Sequence, residues 1–131
     1  VGFMVLLGVA DGDTDKDMEV LCDKIAKLRI FTDENDKMNL SVKDVDGEML
    51  VVSNFTLLAN YAKGNRPDYM NSAAPDVANE LYEYFKSLMA AELRHVGCGI
   101  FGADMKVASV NDGPVTLILD TAELMDTPRR G

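Results

Sequence analysis

The sequence predicts an α+β domain in which two amphipathic helices cover a mostly antiparallel, barrel-like sheet. Apolar runs and stretches with helical spacing follow one another in the order strand, helix, strands, helix, strands. The chain has 131 residues, 47% of them hydrophobic, which suits a single domain able to bury about two-thirds of its unfolded surface. We assign residues 1–120 to this domain and expect residues 121–131, which include a proline and two arginines near the end, to form a loosely ordered tail.

The first strand and the first helix have clear signals. Residues 3–9 form a continuous apolar run with aromatic and β-branched members, typical of a central strand covered on both faces. Asp13 or Thr14 can then cap a helix. One apolar face of that helix is predicted by the spacing of Met18, Leu21, Cys22, Ile25 and Leu28. Because the chain opens inside an apparent strand, we expect an N-terminal strand to be missing from the sequence.

The remaining elements follow from turn residues and a second helical stripe. Residues 40–45 and 49–55 are predicted to pair as a hairpin around Asp46-Gly47, a dipeptide typical of tight turns. Pro75 suits the first turn of a second helix. The apolar stripe of that helix comprises Val77, Leu81, Tyr84, Phe85, Leu88 and Met89. Two last strands, 105–110 and 115–119, flank a polar corner at residues 111–116, while residues 97–102 are expected to form a flexible connection.

Composition excludes several classes of function. The chain has 13 Lys and Arg against 22 Asp and Glu, and its net charge of −9 argues against a broad duplex-binding face. Cys22 and Cys98 are expected to be free thiols, and with the single His95 they form no spacing of zinc-ligand type. We therefore expect no metal and no cofactor. No apolar run approaches the roughly 20 residues that cross a bilayer, so we expect a cytoplasmic protein with no membrane partner.

Two polar segments are candidate sites, and each also has a structural explanation. Residues 53–56 carry two hydroxyls and an amide at a predicted strand end, where they either bind a ligand or satisfy backbone groups. The corner at residues 111–116 is either a hairpin turn or a place where Gly113 lets a ligand approach the main chain. Between them, Lys63 and Arg66 lie in a loop and either contact a phosphate or are solvated. Because His95 falls near a helix end, the sequence favours a site that positions its substrate over conventional acid–base catalysis.

Taken together, these segments resemble the D-aminoacyl-tRNA deacylases, which hydrolyse D-amino acids from tRNA and so proofread translation. The similarity extends from about Val5 to Leu119. The motifs that carry it are Leu50-Val51-Val52-Ser53-Asn54-Phe55-Thr56-Leu57, Asn111-Asp112-Gly113-Pro114-Val115-Thr116, Lys37-Met38-Asn39-Leu40 and Gly102-Ala103-Asp104-Met105. The resemblance implies a cytoplasmic homodimer that cleaves the ester at the 3′-terminal adenosine of D-aminoacyl-tRNA, and of glycyl-tRNA as well.

The resemblance also implies roles for individual residues. Thr56 and Ser53 match the family's catalytic hydroxyl positions, and we expect Thr56 to position the substrate because no base activates it. Gly113 and Pro114, joined by a cis bond, are expected to enter the active site of the other subunit and exclude an L-residue by a clash with its β-carbon. The backbone amides of residues 53–56 are expected to hold the oxyanion. The substrate-binding positions implied by the family are Asn54, Phe55, Ala78, Phe101, Met105, Gly113 and Pro114.

Two departures from the family pattern leave alternatives open. Asn54 stands where the family usually has glutamine, and the family's first strand with its early arginine is absent. The alternative function is therefore a non-catalytic homologue that binds the aminoacyl-adenosine end or only dimerises. A third possibility is the related animal-type deacylase with a trans Gly-Pro bond, although the sequence around Ser53 and Asn111-Asp112 favours the D-specific branch. The acidic charge predicts low affinity for the tRNA body, with Lys63 and Arg66 as the candidate phosphate contacts.

Overall fold

The computed structural model describes residues 1–125 and contains a parallel sheet packed against two long helices. In chain order, the elements are β1 (Gly2–Leu7), α1 (Asp15–Lys27), β2 (Phe31–Thr32), β3 (Met38–Leu40), β4 (Glu48–Ser53), a short 3₁₀ helix (Phe55–Leu58), α2 (Pro75–Glu92), β5 (Val96–Cys98) and α3 (Thr121–Leu124). The sheet has the order β1-β4-β5, and both of its strand pairs are parallel. β2 and β3 form a separate antiparallel ribbon. The α+β class is confirmed, whereas the mostly antiparallel, barrel-like sheet was wrong.

The parallel arrangement follows from the two helical crossovers. Parallel neighbours cannot be joined by a tight turn, and here α1 lies between β1 and β4 in the chain while α2 lies between β4 and β5. The predicted hairpin at Asp46-Gly47 was wrong, because residues 41–47 form consecutive turns. Ser41 and Asp44 hold them by reciprocal side-chain bonds, Ser41 N–H to Asp44 Oδ2 at 2.9 Å and Asp44 N–H to Ser41 Oγ at 3.2 Å. Hydrogen bonds of this kind between side chains and the backbone compete with those of a strand, so the apolar run forms turns instead.

Both predicted long helices are present, and their buried faces form the core with one face of the sheet. Thr14 caps α1, and its N–H donates to Asp17 Oδ2 at 2.8 Å, while Pro75 begins α2 as predicted. The largest fully buried side chains are Tyr82, Phe85, Met18, Met89, Val42 and Val51. The stripe predicted for α2 was partly wrong, because Val77 is exposed and Tyr82 is buried in its place. No helix of the described residues has the length and apolar character needed to cross a membrane.

The C-terminal third differs most from prediction. Residues 105–110 and 115–119 form no strands, and side chains over 106–118 are exposed. Residues 96–98 form β5 instead of a flexible connection. The start of the predicted loose tail is an ordered turn, α3, in which the Thr121 hydroxyl donates to Asp17 Oδ1 at 2.6 Å in the protein interior. The rest of that tail, residues 126–131, lies outside the described residues.

Candidate functional site

The carboxyl ends of the three parallel strands bring most of the predicted site residues to one edge of the sheet. β1, β4 and β5 end at Leu7, Ser53 and Cys98, respectively, so the segments that follow these strands start from the same edge. In open parallel sheets, ligands bind outside the carboxyl ends of the strands. Residues 53–56 and 99–101 therefore stand where a substrate site is expected. The site depends on the parallel topology that the sequence did not predict.

Asn54 organises the segment at the end of β4. Its backbone N–H donates to the Leu7 carbonyl at 2.8 Å, which ties the segment to the end of β1. Its side-chain Oδ1 accepts the Thr56 N–H at 3.2 Å and also a short hydrogen bond from Thr56 Oγ1. Asn54 is thus the N-cap of the 3₁₀ helix, with Ser53 half-buried before it and Phe55 and Thr56 exposed after it.

These contacts narrow the set of main-chain donors that are available to a substrate. The N–H groups of Asn54 and Thr56 already donate within the chain. Within residues 1–125, the Phe55 N–H forms no hydrogen bond. Two of the four amides of residues 53–56 that are expected to hold an oxyanion therefore already have partners within the protein.

A second part of the candidate site, formed by the segment after β5, is held in place by Tyr82 of α2. The Tyr82 hydroxyl lies 2.8 Å from the Gly99 carbonyl and 3.1 Å from the Val51 carbonyl, and so pins the segment after β5 to β4. The Phe101 ring packs against the Tyr82 ring with centroids 6.1 Å apart. A Cβ added at Gly99 would lie 2.5 Å from the sulfur of Met105, so glycine leaves the room that Met105 occupies. Phe101 thus packs on Tyr82, and Met105 lies beside Gly99, close to the end of β4.

Two buried residues of α2 have roles that the sequence did not predict. Ala78, an implied substrate contact, lies one turn before Tyr82 on the buried face of α2 and is only 5% exposed. Burial raises the pKa of the Tyr82 hydroxyl above its ordinary value. Tyr82 was missed although a signal exists, since residues 78, 82 and 85 have the i, i+4, i+7 spacing of a buried helix face.

The corner at residues 111–116 stands apart from the rest of the site within one chain. The Asn111 side chain holds it, donating through Nδ2 to Thr116 Oγ1 at 2.9 Å and accepting the Val115 N–H at 3.2 Å. The Gly113–Pro114 bond is cis, as predicted, and Gly113 has a φ of +138°. The corner is exposed, and no hydrogen bond or ion pair among residues 1–125 joins it to residues 53–56.

Among residues 1–125, the single histidine lies away from the candidate site and the ionisable groups form no metal site. His95 precedes β5 and therefore lies at the amino edge of the sheet, opposite the candidate site, where its carbonyl accepts the Met49 N–H at 3.0 Å. In the described part of the chain, no three histidine, cysteine or acidic side chains are grouped as metal ligands would be. Cys98 is an exposed free thiol, while burial raises the pKa of the free thiol Cys22 to about 11.

A sequence model of the family described as D-Tyr-tRNA(Tyr) deacylase matches residues 1–120. The chain belongs to this family. It is 54% identical over 121 residues to a D-aminoacyl-tRNA deacylase from Flavobacterium johnsoniae, covering 92% of this chain and 81% of the relative. The corresponding protein of Caldicellulosiruptor saccharolyticus is 51% identical over 123 residues, which are 94% of this chain and 83% of that one. The family inferred from the two motifs is confirmed.

Solved structures agree on the fold of this family member. A protein named c-Myc DNA Unwinding Element Binding Protein superposes with a TM-score of 0.85 at 40% identity, covering 91% of this chain and 81% of its own. A probable eukaryotic D-amino acid tRNA deacylase gives a TM-score of 0.68 at 18% identity, over 79% of this chain and 76% of its own. The second of these similarities concerns the fold alone.

Proposed function

We propose that this protein hydrolyses the ester bond between a D-amino acid and the terminal ribose of tRNA, and so removes mischarged residues before translation uses them. The observation that carries the proposal is the family match over residues 1–120, which includes the Ser53–Thr56 segment at the carboxyl edge of the sheet. Relatives about half identical over more than nine-tenths of the chain are named D-aminoacyl-tRNA deacylases. The enzyme is a hydrolase, and we place it in the cytoplasm, where tRNA is charged.

The catalytic centre that we propose stabilises charge and positions the reactants. Water attacks the ester carbonyl carbon, the carbonyl oxygen becomes an oxyanion, and the carbon–oxygen bond to the ribose then breaks to release the tRNA hydroxyl. The Phe55 N–H has no hydrogen-bond partner among residues 1–125 and can donate to that oxyanion, and the Ser53 hydroxyl lies two residues before it in the chain. The ribose 2′-hydroxyl, adjacent to the ester, assists the attacking water, since His95 lies at the other edge of the sheet.

In this proposal Thr56 positions the substrate and is not a nucleophile. Its hydroxyl donates to Asn54 Oδ1, an amide oxygen that cannot take the proton of an attacking hydroxyl. The Asn54 side chain in turn shapes the 3₁₀ helix that presents the Phe55 N–H. Asn54 therefore performs a structural role in the site that does not require the longer glutamine usual in the family.

Phe101 and Met105 are the proposed lining of the pocket for the terminal adenosine. An aromatic ring and a thioether provide the flat, polarisable contacts that suit a nucleobase. Both side chains are partly exposed beside Gly99, close to where residues 53–56 leave the sheet. Ala78 is buried behind them, so its proposed contribution is to fix the position of α2 under the pocket.

We further propose that two copies of the chain form a homodimer and that each supplies its Gly113–Pro114 corner to the site of the other. The main-chain carbonyls of the corner would crowd the β-carbon of an L-residue and leave space for a D-residue or glycine. Two sets of exposed apolar side chains support burial against a second copy. They are Met4, Leu6 and Leu50 on the sheet face away from the helices, and Val107, Val110, Val115, Leu117 and Ile118 around the corner.

Binding to duplex DNA, suggested by the name of one structural neighbour, is not carried over to this protein. Affinity for duplex nucleic acid comes mainly from neutralised phosphates, which requires a broad basic face. A chain with a net charge of −9 lacks the composition for such a face. The tRNA end, in contrast, requires only a local patch.

Release of radiolabelled tyrosine from D-Tyr-tRNA and from L-Tyr-tRNA tests the function. We expect hydrolysis of the D-form alone, and a loss of that activity in Gly113→Ala, where a methyl group enters the proposed wall at a φ of +138°. Gly12→Ala is the matched control, because Gly12 has a φ of +92° and lies outside the corner. Hydrolysis of both forms would refute the chiral filter, and hydrolysis of neither by the wild-type dimer would favour the non-catalytic alternative.

A further inference from the structure

The segment after the 3₁₀ helix exposes aromatic side chains next to the catalytic residues. The Phe55 ring, 55% exposed, makes an edge contact with Tyr69 at a centroid distance of 4.8 Å. Tyr61 is 72% exposed, and Met70 is more exposed still. Exposed apolar side chains that lie together often mark a binding surface, and the contact between the two rings begins at Phe55, the neighbour of Thr56 in the chain.

Backbone hydrogen bonds fix the neck and the base of this segment. Asn60 and Asp68 exchange two backbone hydrogen bonds, each 2.8 Å long, so that the loop between them closes as a narrow ribbon. At its base, the Asp11 N–H donates to the Asn71 carbonyl at 2.8 Å and Ala10 bridges Ser72. A loop fixed at its neck and base loses little conformational entropy on binding.

The charge of the segment is opposite to that of the whole chain. Residues 54–75 contain Lys63, Arg66 and Asp68 as their ionisable charges, a local sum of +1 in a chain whose net charge is −9. Within residues 1–125, neither Lys63 nor Arg66 forms an ion pair, whereas Lys27, Lys43, Lys86 and Arg94 each pair with a carboxylate. Two cations at an exposed tip, beyond a run of rings, are the elements of a single-stranded nucleic-acid surface.

We infer that residues 60–70 bind the unpaired nucleotides preceding the terminal adenosine of tRNA. Tyr61 and Tyr69 stack on bases, and Lys63 and Arg66 contact phosphates. The inference rests on the proposed function and extends it from the reacting end of the substrate to the adjoining strand. It also explains how an acidic protein grips tRNA without attraction to the body of the molecule.

Two substrates separate this surface from the catalytic centre. D-Tyr-tRNA carries the unpaired strand, while D-tyrosyl-adenosine carries the same ester without it. We expect Tyr61→Ala to lower kcat/KM for D-Tyr-tRNA by about 5- to 150-fold, the effect of losing one base–aromatic stack. Its kcat/KM for D-tyrosyl-adenosine is expected to stay within about twofold of wild type.

The double variant Lys63→Ala/Arg66→Ala tests the phosphate contacts. The slope of log(kcat/KM) for D-Tyr-tRNA against log salt concentration should become shallower by about 1.4, from about 0.7 for each lost contact with a single strand. Lys16→Ala/Lys24→Ala is the control, since it removes the same charge from exposed positions of α1 that form no ion pair among the described residues. The control should keep the wild-type slope.

The outcomes distinguish this inference from the proposed function. Three results would overturn the nucleotide surface while leaving the function intact. The first is a wild-type kcat/KM for D-Tyr-tRNA in the Tyr61 and Lys63/Arg66 variants, and the second is an equal loss of kcat/KM on both substrates. The third is the same change of salt slope in the control variant. If the wild-type protein cleaves neither substrate, both the proposed function and the inferred nucleotide surface are refuted. Binding of uncharged tRNA, followed by fluorescence anisotropy, adds a readout free of catalysis. We expect weaker binding in the loop variants, and unchanged binding would count against the surface.

Discussion

Tyr82→Phe removes the hydroxyl that joins the two walls of the site and changes little else. The ring is fully buried, and phenylalanine fills the same space, so no cavity forms. The Val51 carbonyl would keep a partner, because it also accepts the Gly99 N–H at 3.0 Å, whereas the Gly99 carbonyl would lose its bond to Tyr82. Because Gly99 is only partly buried, its carbonyl can bond to water instead. We therefore expect the free energy of unfolding to fall by about 1 kcal/mol, the net value of one hydrogen bond, and not by the larger cost of an unpaired buried group.

Urea denaturation followed by far-UV circular dichroism measures this change, with Tyr84→Phe as the control. Tyr84 lies on the same helix, and its hydroxyl donates to Glu19 Oε2 at 2.6 Å on the exposed surface, so its loss should matter less. Tyr82→Phe should also raise KM for D-Tyr-tRNA, because the chain from Gly99 onward loses its anchor to α2. An unfolding free energy equal to that of the wild type, or a smaller loss than in Tyr84→Phe, would refute the role assigned to this hydroxyl.

Four further predictions concern the site, the two thiols and the C-terminal turn. Thr56→Ala should retain much of the deacylase activity, since Thr56 has no base; a loss of about 10⁴-fold in kcat would identify a nucleophile instead. Iodoacetamide at pH 8 should modify Cys98 and spare Cys22 until the protein is unfolded, and equal rates would contradict the burial of Cys22. The pKa of the Cys22 thiol is about 11 in the folded protein and about 9 in the unfolded chain, so the unfolded chain loses this proton first as the pH rises. Between these pH values the free energy of unfolding of the wild type should therefore fall by about 2–3 kcal/mol relative to Cys22→Ala. Parallel curves of unfolding free energy against pH for the two proteins would disprove this. Thr121→Val should lower the free energy of unfolding, measured in urea, by about 1–3 kcal/mol, because Asp17 Oδ1 loses the Thr121 hydroxyl as a donor. Thr121→Ser keeps a hydroxyl and should not have this effect. Equal losses in the two variants would exclude the hydrogen bond as the cause.

Local signals predicted the helices well because their causes are local. Thr14 before an apolar stripe and Pro75 at a first turn act through the nearest backbone groups, and both mark helix starts in the structure. The hairpin at Asp46-Gly47 failed because the same dipeptide also ends a series of turns, and the bonds between Ser41 and Asp44 decide between the two. The strands predicted around residues 111–116 required partners that one chain does not place there.

The sequence by itself determined the two motifs and the family, because these depend on the order of residues along the chain. The cis Gly113–Pro114 bond was implied by the resemblance to that family, and the structure contains it. Only the tertiary structure decided that β1, β4 and β5 run parallel, since strand direction follows from how α1 and α2 pack against the sheet. That packing places His95 at the edge of the sheet opposite residues 53–56, where the Phe55 N–H has no hydrogen-bond partner among residues 1–125. It also revealed Tyr82, whose importance comes from two carbonyls 17 and 31 residues away in the chain.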